Sequence, residues 1–425
     1  MCRSRKLIQS VLLALIVASV TGCAAPLAPS SPTSEPITLR FAYLQEEKGE
    51  AYEKLSAEFH DTHPNITVEV QQIEDLSYVT SEGSQIDVFE TSQFNLVSLV
   101  ETDAILNLHP ILQGDPHGIV GDFYPHILEA FTWCGQIWGV PADVDPWVLY
   151  YNKDLFDQAN VPYPEPEWTW NEFLEKATLL TVEGASHTQY GFGSNPKEAP
   201  EIIAFIYQHG GSLVDSFVDP KTPTFDSPAT IEAVEWYANL SLEYGVMTPP
   251  EVIEHYRRAG AFEAAMREQV AMWMGPLSIR GGTAWRYEWP FNWGVVPLPR
   301  DQQQATLFVL TGYFITSRSP HPREAWLWIE EITGSPRPAW NLPPRRSVAE
   351  MPSYRQRVGE EVADAALYSS ECGLTSSPTP WLMEVFDWFS QALTAILTGE
   401  QTVEAAMQEL QRQAEAALAA QELSQ

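Results

Sequence analysis

The clearest pattern of apolar and polar positions lies in the second hundred residues. Val148 to Tyr151 is a continuous apolar and aromatic run, typical of a strand that is buried on both faces, and Asn152 to Asp154 follow it with turn-forming residues. Thr169 and Glu172 have the spacing of a helix capping box. Apolar positions then recur on one helical face, at Phe173, Leu174, Ala177 and Leu180. This stretch therefore predicts a strand, a loop and a helix in succession.

The first sixty residues after position 36 repeat the alternation of strand and helix. Residues 37–43 alternate apolar and polar positions as a strand does, and residues 51–60 place Tyr52, Leu55 and Phe59 at helical spacing. Ile66 to Val70 alternates again, and a third short strand is predicted at 86–89. A strand, a helix and a strand in this order predict a parallel pair joined by a right-handed crossover. The fold class predicted from these patterns is α/β.

The rest of the chain continues to combine strand-like alternation with helical spacing of apolar residues. The break at Gly210 predicts the end of a helix, because glycine accepts the left-handed cap. A further strand is predicted at 190–193, and further helices are predicted at 201–209 and from 228 onward. The apolar positions of the C-terminal stretch predict a closing amphipathic helix with its buried face at Val403, Ala406, Met407, Leu410, Ala414, Ala417 and Leu418.

Length and the first residues predict a secreted protein of two domains. A chain of 425 residues is too long for one ordinary core. Its start has three basic residues within the first six, then an apolar run from 7 to 20, which is too short for a permanent span and typical of a signal peptide. Residues 20–23, Val-Thr-Gly-Cys, resemble a lipobox. We therefore expect a lipoprotein signal peptide at 1–22, lipid on Cys23 and a flexible Pro/Ser-rich tether at 23–36, with an uncleaved signal anchor as the alternative.

The charge excludes several classes of partner. The formal net charge is −32, and residues 1–22 hold three basic residues and no acidic one, so the chain from Cys23 onward carries 21 basic and 56 acidic residues. Such a surface repels nucleic acid and anionic membranes. We interpret the acidity as solvation of the surface and not as a sign of any particular ligand.

The cysteines predict neither a metal site nor a cofactor. Cys2 leaves with the signal peptide and Cys23 carries the lipid, so two cysteines are left, and the sequence contains no CxxC pair and no Cys/His cluster. Cys134 and Cys372 could form a disulfide outside the cytoplasm, but the sequence does not place them within bonding distance, and both alternatives stay open.

Several motifs together resemble one family. Residues 139–141 are Gly-Val-Pro, residues 149–156 are Leu-Tyr-Tyr-Asn-Lys-Asp-Leu-Phe, and residues 170–173 are Trp-Asn-Glu-Phe. Phe-Asp-Ser-Pro at 225–228 and Thr-Gly-Glu-Gln-Thr-Val at 398–403 follow in the same order. This set resembles the extracellular solute-binding proteins of carbohydrate ABC transporters (family 1), to which maltose-binding protein belongs. The resemblance extends from Ile37 to the end of the chain.

The resemblance implies a fold and a way of working. The expected fold is the two-lobed periplasmic-binding-protein type II fold, with a cleft between discontinuous lobes at 37–145 plus 295–350 and at 146–294 plus 351–425. Crossovers near Asp145 and Trp293 are expected to act as hinges that close on a ligand. The implied protein is a monomer without enzymatic activity, anchored by lipid on the outer side of the cell membrane. It would capture a neutral sugar or oligosaccharide and deliver it to an ABC transporter permease.

The implied binding residues follow strand ends or match family motifs. Sugars need carboxylates and amides for their hydroxyls and flat aromatic rings for their C–H faces, and open α/β sheets bind ligands at the carboxyl ends of strands. The predicted ligand-binding residues are Gln45, Glu46, Glu47, Lys48, Glu90, Thr91, Gln93, Asp143, Asp145, Trp147, Leu277, Tyr313, Trp381 and Phe386. The alternatives are solvated loop charges, core aromatics and, for Asp145-Pro146, a simple turn.

The sequence departs from the family pattern at three places. Leu277 and Phe386 stand where maltose-binding protein has stacking tryptophans, which argues against maltodextrin itself but not against a sugar. Residues 74–85 are short and polar where the family has a longer helix. A polyol phosphate or a short peptide is an alternative ligand, although a phosphate would require a basic cleft.

A secreted glycoside hydrolase is the remaining alternative. With 56 acidic residues, a suitable carboxylate pair can be found almost anywhere, so its availability is no evidence. The sequence has no Gly-x-Ser-x-Gly, His-Glu-x-x-His, P-loop or Gly-x-Gly-x-x-Gly motif.

Overall fold

The structure is a computed structural model, and it describes most of the chain beyond the N-terminal segment. The described residues are 35–113, 118–184, 188–194, 200–216, 220–254, 260–285, 288–337, 341–375 and 380–424. The predicted signal peptide, Cys23 and most of the predicted tether lie outside them.

Strands and helices alternate along the described chain, as the sequence patterns predict. The strands are β1 Ile37–Tyr43, β2 Ile66–Gln72, β3 Val88–Ser92, β4 Thr132–Trp133, β5 Gln136–Ile137, β6 Val140–Asn152, β7 Val182–Glu183, β8 Thr188–Gly193, β9 Val270–Pro276, β10 Trp293–Val296, β11 Thr306–Ile315 and β12 Gly373–Leu374. The helices are α1 Gly49–Thr62, α2 Ser77–Thr80, α3 Leu96–Glu101, α4 His109–Leu112, α5 Pro125–Glu129, α6 Lys153–Ala159, α7 Trp170–Leu180, α8 Pro200–Gln208, α9 Pro228–Leu242, α10 Pro250–Glu254, α11 Gly260–Met266, α12 Pro322–Thr333, α13 Arg346–Ala349, α14 Pro352–Val358, α15 Glu360–Ser370, α16 Pro380–Leu397 and α17 Val403–Ser424. Short 3-10 helices lie at Glu46–Lys48, Gln93–Asn95, Ile119–Asp122 and Leu277–Trp285.

One continuous path of hydrogen-bonded strands runs through the described residues. Its order is β2-β1-β3-β11-β6-β9-β8-β7, with β10 also paired to β6 and β12 to β11. Strand β1 pairs in parallel with β2 and β3, while β11 and β6 run antiparallel to their neighbours on this path. The parallel β1–β2 pair joined by α1 and the α/β class are confirmed.

Strand β6 links the two halves of this path, one from β2 to β11 and the other from β9 to β7. Its first part pairs with β11, from Val140 opposite Tyr313 to Pro146 opposite Phe308. Its second part pairs with β9, starting at Trp147 opposite Pro276, and with β10 on the other side. The exchange of partners occurs between Pro146 and Trp147. The alternative of a turn at Asp145-Pro146 is therefore wrong, because both residues lie inside a strand of 13 residues.

An extra residue interrupts the pairing of β6 with β11. Pro141 lies opposite Gly312 and Asp143 lies opposite Thr311, so Ala142 has no counterpart on β11. Such a bulge re-aims the side chains that follow it. Gly312 fits here because a Cβ at this position would lie 2.1 Å from the Phe131 ring.

Three hydrophobic clusters fill the described part of the molecule. One packs under β1, α1 and α12 around Phe41 and Trp328, and another lies among α7, α8, α9, α16 and α17 around Phe205. The third surrounds the place where β6 changes partners, and it joins Val144 to Trp273. The two halves of the strand path therefore share buried apolar contacts at the crossover.

Local predictions agree with the structure except for element ends. The capping box of α7 is present, since Thr169 Oγ1 accepts from Glu172 N at 3.3 Å and Glu172 Oε2 accepts from Thr169 N at 2.7 Å. Helix α2 has four residues, which confirms the short element predicted for 74–85. Strand β10 ends at Val296 and β11 begins at Thr306, so residues 297–305 connect them.

The disulfide that the sequence left open is not formed. Cys372 is a free thiol, so it does not pair with Cys134. Burial raises the pKa of the Cys372 thiol to about 12, which makes it an unreactive thiol at neutral pH.

None of the helices in the described ranges combines the length and the apolar character that a bilayer crossing requires.

Packing of α7 against β8 yields a stability prediction. A Cβ at Gly191 would lie 2.0 Å from Ala177 O, so Gly191→Ala forces the helix and the strand apart. We expect the free energy of unfolding to fall by about 2–4 kcal/mol in urea denaturation. Gly121→Ala is the matched control, because a Cβ there meets nothing within 4 Å. Equal stability of the two variants would contradict the packing described here.

Candidate functional site

A polar face of the sheet lies where β6 changes partners. Residues opposite each other on neighbouring antiparallel strands project to the same side. Asp143 lies opposite Thr311, Asp145 opposite Val309, and Glu90 opposite Tyr313. The register therefore brings the polar side chains of three strands to one face. Because side chains alternate along a strand, Trp147 projects to the same side of β6 as the two aspartates.

Lys48 is the positive charge at this face. It ends the 3-10 helix that follows β1, and only 2% of it is exposed. Its Nζ lies 2.5 Å from Glu90 Oε1 and 3.8 Å from Asp143 Oδ2. Glu90 and Asp143 are also buried. Three charges from three separate elements thus meet in the interior.

Two tyrosines stand behind this ion pair. Tyr52 of α1 donates from its hydroxyl to Glu90 Oε2 at 2.5 Å, and its oxygen lies 2.9 Å from the Tyr313 hydroxyl. Both tyrosines are fully buried. Burial and the nearby Glu90 raise the pKa of each hydroxyl well above its usual value, so both keep their protons at any physiological pH.

Lys48 remains charged despite its burial. Removal from water lowers the pKa of an ammonium, but Glu90 and Asp143 act in the opposite direction and outweigh it, so the pKa of Lys48 is raised. An ion pair this deep is held together because either partner alone would be a buried, uncompensated charge.

The two aspartates of β6 are each fixed by a backbone N–H from a different segment. Asn341 N donates to Asp143 Oδ1 at 3.0 Å, and Ser278 N donates to Asp145 Oδ1 at 2.9 Å. Arg280 Nη1 donates to Asn341 Oδ1 at 2.8 Å, which ties the segment after β9 to the segment after α12. The carboxylates are therefore held in defined orientations.

Asp145 is protonated more readily than an ordinary aspartate. Burial raises the pKa of its carboxyl to about 7, and neighbouring Asp143 adds to this, while the hydrogen bonds from Ser278 and the charge of Arg280 oppose it. The site can therefore exchange a proton near neutral pH.

Three polar groups at this face have no hydrogen-bond partner among the described residues. They are Gln93 Nε2, Trp147 Nε1 and Thr311 Oγ1. Gln93 is fully buried and uses its other end to accept from Leu310 N at 2.8 Å, next to Thr311. Buried polar groups in proteins nearly always have partners, so each such group calls for an explanation.

The face opens to solvent at one edge. Val309 is 41% exposed, and Thr311 and Asp145 are half-buried, whereas Lys48 and Glu90 are covered. The accessible edge of the face is therefore the side of Val309 and Asp145.

The remaining predicted binding residues lie in three kinds of surroundings. Gln45, Glu46 and Glu47 are exposed before Lys48. Thr91 is buried on the opposite side of β3 from Glu90, and its Oγ1 accepts from Asn95. Leu277 is fully buried, and Phe386 is half-buried against the cluster around Phe205.

Two predicted positions lie outside what can be described. The Trp381 side chain and the whole of Cys23 are not among the described parts of the chain. The assignment of the binding residues as a set stays a prediction.

Several members of the site have no clear signal in the sequence. The helical spacing of Tyr52 predicts the burial of its ring but not the role of its hydroxyl. Ser278 and Asn341 act through backbone N–H groups, which do not depend on the residue type. Thr311 lies two residues before Tyr313 in β11, and this spacing is the one sequence signal that puts it on the same face.

Among the described residues, no group of three or more His, Cys, Asp or Glu side chains is arranged to hold a metal ion.

Comparisons with known proteins agree on one family. The family model described as Bacterial extracellular solute-binding protein matches residues 43–336. An uncharacterized lipoprotein in the oleD 5' region of Streptomyces antibioticus is 29% identical over 220 residues, which cover 49% of this chain and 46% of that protein. The chain thus matches about half the length of the first curated relatives.

Solved structures match over nearly the whole chain. The sugar-binding protein MalE from Xanthomonas citri is 22% identical with a TM-score of 0.75, covering 91% of this chain and 98% of that one. An ABC substrate-binding protein from Listeria monocytogenes, solved in complex with cycloalternan, is 21% identical with a TM-score of 0.72, covering 91% and 100%. The predicted two-lobed type II fold is confirmed.

The raised pKa of Asp145 predicts a pH-dependent stability. Since the folded-state pKa of about 7 lies above the ordinary value of 3.8, ionisation disfavours the folded state, and the free energy of unfolding falls as pH rises from about 4 to 7. Asp145→Asn removes this fall in the free energy of unfolding, because an amide does not ionise. We expect the variant to match the parent at pH 4 and to exceed it by about 1–3 kcal/mol at pH 8 in urea denaturation.

Asp226→Asn is the control for this comparison, because Asp226 is exposed and its replacement should leave the difference near zero at both pH values. A constant difference between Asp145→Asn and the parent across this range would show that Asp145 ionises as an ordinary aspartate.

Proposed function

The chain belongs to the bacterial extracellular solute-binding proteins, and from this premise we propose that it captures a neutral sugar or oligosaccharide outside the cytoplasm and delivers it to an ABC transporter permease. The similar structures named above, a sugar-binding protein and a complex with cycloalternan, support a carbohydrate as the solute.

The observation that carries the proposal is the set of polar groups without partners at the β6 face. Trp147 Nε1 and Gln93 Nε2 are donors, and Thr311 Oγ1 both donates and accepts. A sugar hydroxyl also donates and accepts. Because all three atoms are buried in this arrangement, a polyhydroxylated solute would satisfy them only after the two halves of the strand path moved apart. An apolar solute would leave them unsatisfied at a cost of about 1–3 kcal/mol each.

The charges at the face favour a neutral solute. Glu90, Asp143 and Asp145 are acidic. Their charges are offset by Lys48, which is engaged with Glu90, and by the guanidinium of Arg280, which acts on Asp145. A phosphate or carboxylate brought against two aspartates would be repelled. This argues against the alternative of a polyol phosphate.

Binding would work by closure of two lobes. We propose lobes at 37–145 plus 295–350 and at 146–294 plus 351–425, with β6 passing between them. Trp147 begins the part of β6 that pairs with β9, whereas Asp143 lies in the part that pairs with β11. A solute that contacts both residues would favour the closed arrangement through its differential contacts.

The protein would bind its solute and release it unchanged. Both oxygens of Glu90 are engaged by Lys48 and Tyr52, so this carboxylate is already occupied by partners within the protein. A lipid on Cys23 would keep the monomeric protein at the outer side of the cell membrane.

Calorimetric titration with the sugar that gives the largest thermal shift tests the site. Trp147→Phe keeps most of the ring but removes the N–H, and we expect about tenfold weaker binding; Trp147→Ala should cost about 1–3 kcal/mol, or tenfold to hundredfold. At pH 8, where Asp145 is mostly ionised, Asp145→Asn should weaken binding by a comparable factor, because charge-assisted hydrogen bonds exceed neutral ones.

Asp226→Asn should bind like the parent, and circular dichroism checks that each variant is folded. Unchanged affinity in both Trp147→Phe and Asp145→Asn would refute the β6 face as the binding site. Absence of any thermal shift across neutral mono- and oligosaccharides, together with a shift by a peptide or a phosphate, would refute a sugar ligand.

The membrane anchor has its own test. Mass spectrometry of protein extracted from membranes should find the N-terminus at Cys23 with an added diacylglycerol, and Cys23→Ser should release the protein into the soluble fraction. An unmodified Cys23 or an intact Met1 in the mature protein would rule the anchor out.

A further inference from the structure

We infer that His209 is a doubly protonated clasp that fastens the linker between β10 and β11 to α8 and α9, and that this clasp makes the attachment of the linker sensitive to pH. The linker comprises residues 297–305 and leads from β10, beside the second part of β6, to β11, beside its first part. The inference does not depend on which solute the protein binds.

The first part of the linker is bonded to the start of α7. Arg300 N donates to Trp168 O at 2.9 Å and Trp170 N donates to Arg300 O at 3.0 Å, as in a short parallel strand pair. The Trp168 ring nitrogen donates to Pro297 O at 2.9 Å. Arg300 Nε donates to the carbonyl oxygen of Glu167 at 3.1 Å, and Glu167 has a left-handed φ of 70°. Such backbone strain persists only where the surroundings hold it, so this contact is firmly built.

The second part of the linker is bonded to the end of α8. Gln303 N donates to Gln208 O at 3.1 Å, and Gln303 Nε2 donates to Tyr207 O at 2.6 Å. Gln208 Nε2 in turn donates to Ala305 O at 2.8 Å, and Ala305 is buried in the cluster around Phe205. Because these bonds all reach the same group of helices, the linker moves with α7 and α8.

His209 adds a charged contact to this set. It directly follows α8, and its ring lies between two carboxylates: Nδ1 is 2.6 Å from Asp301 Oδ2 on the linker, and Nε2 is 3.2 Å from Glu232 Oε2 on α9. An ionised carboxylate only accepts hydrogen bonds, so both ring nitrogens must carry a proton for both contacts to be hydrogen bonds. The ring also stacks on Trp170 at 5.5 Å between centroids. The geometry therefore selects the imidazolium form.

The surroundings of His209 agree with this geometry. Burial lowers the pKa of the imidazole, but the hydrogen bonds and charges of Asp301 and Glu232 outweigh it, so the pKa of His209 is raised above its usual value of 6.5. From α7 the ring meets only the uncharged indole of Trp170 in the described structure. Arg300, the cation next to Asp301 in the chain, directs its Nε to a backbone carbonyl.

Deprotonation would change both contacts of the ring. A neutral imidazole has one N–H, so while that proton stays on the Asp301 side, Nε2 directs a lone pair at the Glu232 carboxylate. The bridge to α9 is then lost, and the bond to Asp301 becomes a neutral donor's, which is about half as strong. Because the folded-state pKa of His209 is raised, the clasp contributes fully below about pH 6.5 and is lost as pH rises through that folded-state pKa. The linker is therefore held less firmly in alkaline solution.

Hydrogen exchange of the full-length protein, followed by NMR, tests the clasp. The amides of Arg300 and Gln303 report on opening of the linker, and the Leu342 amide, bonded to Val144 O, reports on the other half. His209→Gln keeps a hydrogen-bond donor but cannot carry a charge. Relative to Leu342, we expect the linker amides to exchange about fivefold faster in His209→Gln than in the parent at pH 6, and less than twofold faster at pH 9. Taking rates relative to Leu342 removes any change in the stability of the whole molecule.

The protonation of the ring is measured directly by nitrogen-15 NMR. Two protonated ring nitrogens are expected for His209 at pH 6, and Asp301→Asn and Glu232→Gln should each lower the pKa of His209. His60→Gln is the matched control, because His60 is exposed on α1 and its replacement should leave the exchange of the linker amides unchanged.

Two results would overturn the inference. One is an equal acceleration of the linker amides by His209→Gln at pH 6 and pH 9, since this would show that the side chain only fills space. The other is a single protonated nitrogen on the His209 ring at pH 6, because one of the two carboxylate contacts would then not be a hydrogen bond.

Discussion

The hydrogen bonding of β6 is the constraint on which the rest of the molecule depends. The first part of this 13-residue strand pairs with β11, and its second part pairs with β9 and β10. The backbone hydrogen bonds on both sides of β6 must be kept, because an unpaired N–H or C=O group in the interior is costly. Strand β6 changes its pairing partner beside Pro146. Proline has no backbone N–H, so no hydrogen bond from this residue is lost at the change. One backbone segment, β6, therefore fixes the relative position of the two halves of the strand path. The polar face lies on that segment.

The polar face carries a stability cost that the apolar clusters around it must offset. Lys48, Glu90 and Asp143 bury three charges, and such groups often stabilise a fold less than apolar side chains of the same size would. Asp145 adds to the cost, because its pKa of about 7 leaves it partly ionised in a place that favours the neutral form. Local departures of this kind are expected at functional sites, where a residue serves binding at the expense of folding.

The parts that could be predicted from sequence are those with a local signal. The capping box at Thr169 depends on residues three apart, and β1 and α1 follow from simple periodicity. The start of β6 could not be predicted, because two prolines hide a strand and because both sides of its second part are apolar, so only 148–151 stood out.

The hydroxyl of Tyr52 had no local signal either. Its partners are 38 and 261 residues away in the chain, and only the packed fold brings them together.

The family resemblance did indicate the β6 face, since it placed Asp143, Asp145 and Trp147 next to the crossover. It could not distinguish a residue that contacts a solute from one that holds another residue in place, because that distinction depends on which oxygen atoms are already engaged. Asp143 and Asp145 illustrate it: each is fixed at one oxygen by a backbone N–H, one from the segment after α12 and one from the segment after β9. A solute that contacts both carboxylates is therefore coupled to both segments at once, and its binding free energy acts directly on their relative position.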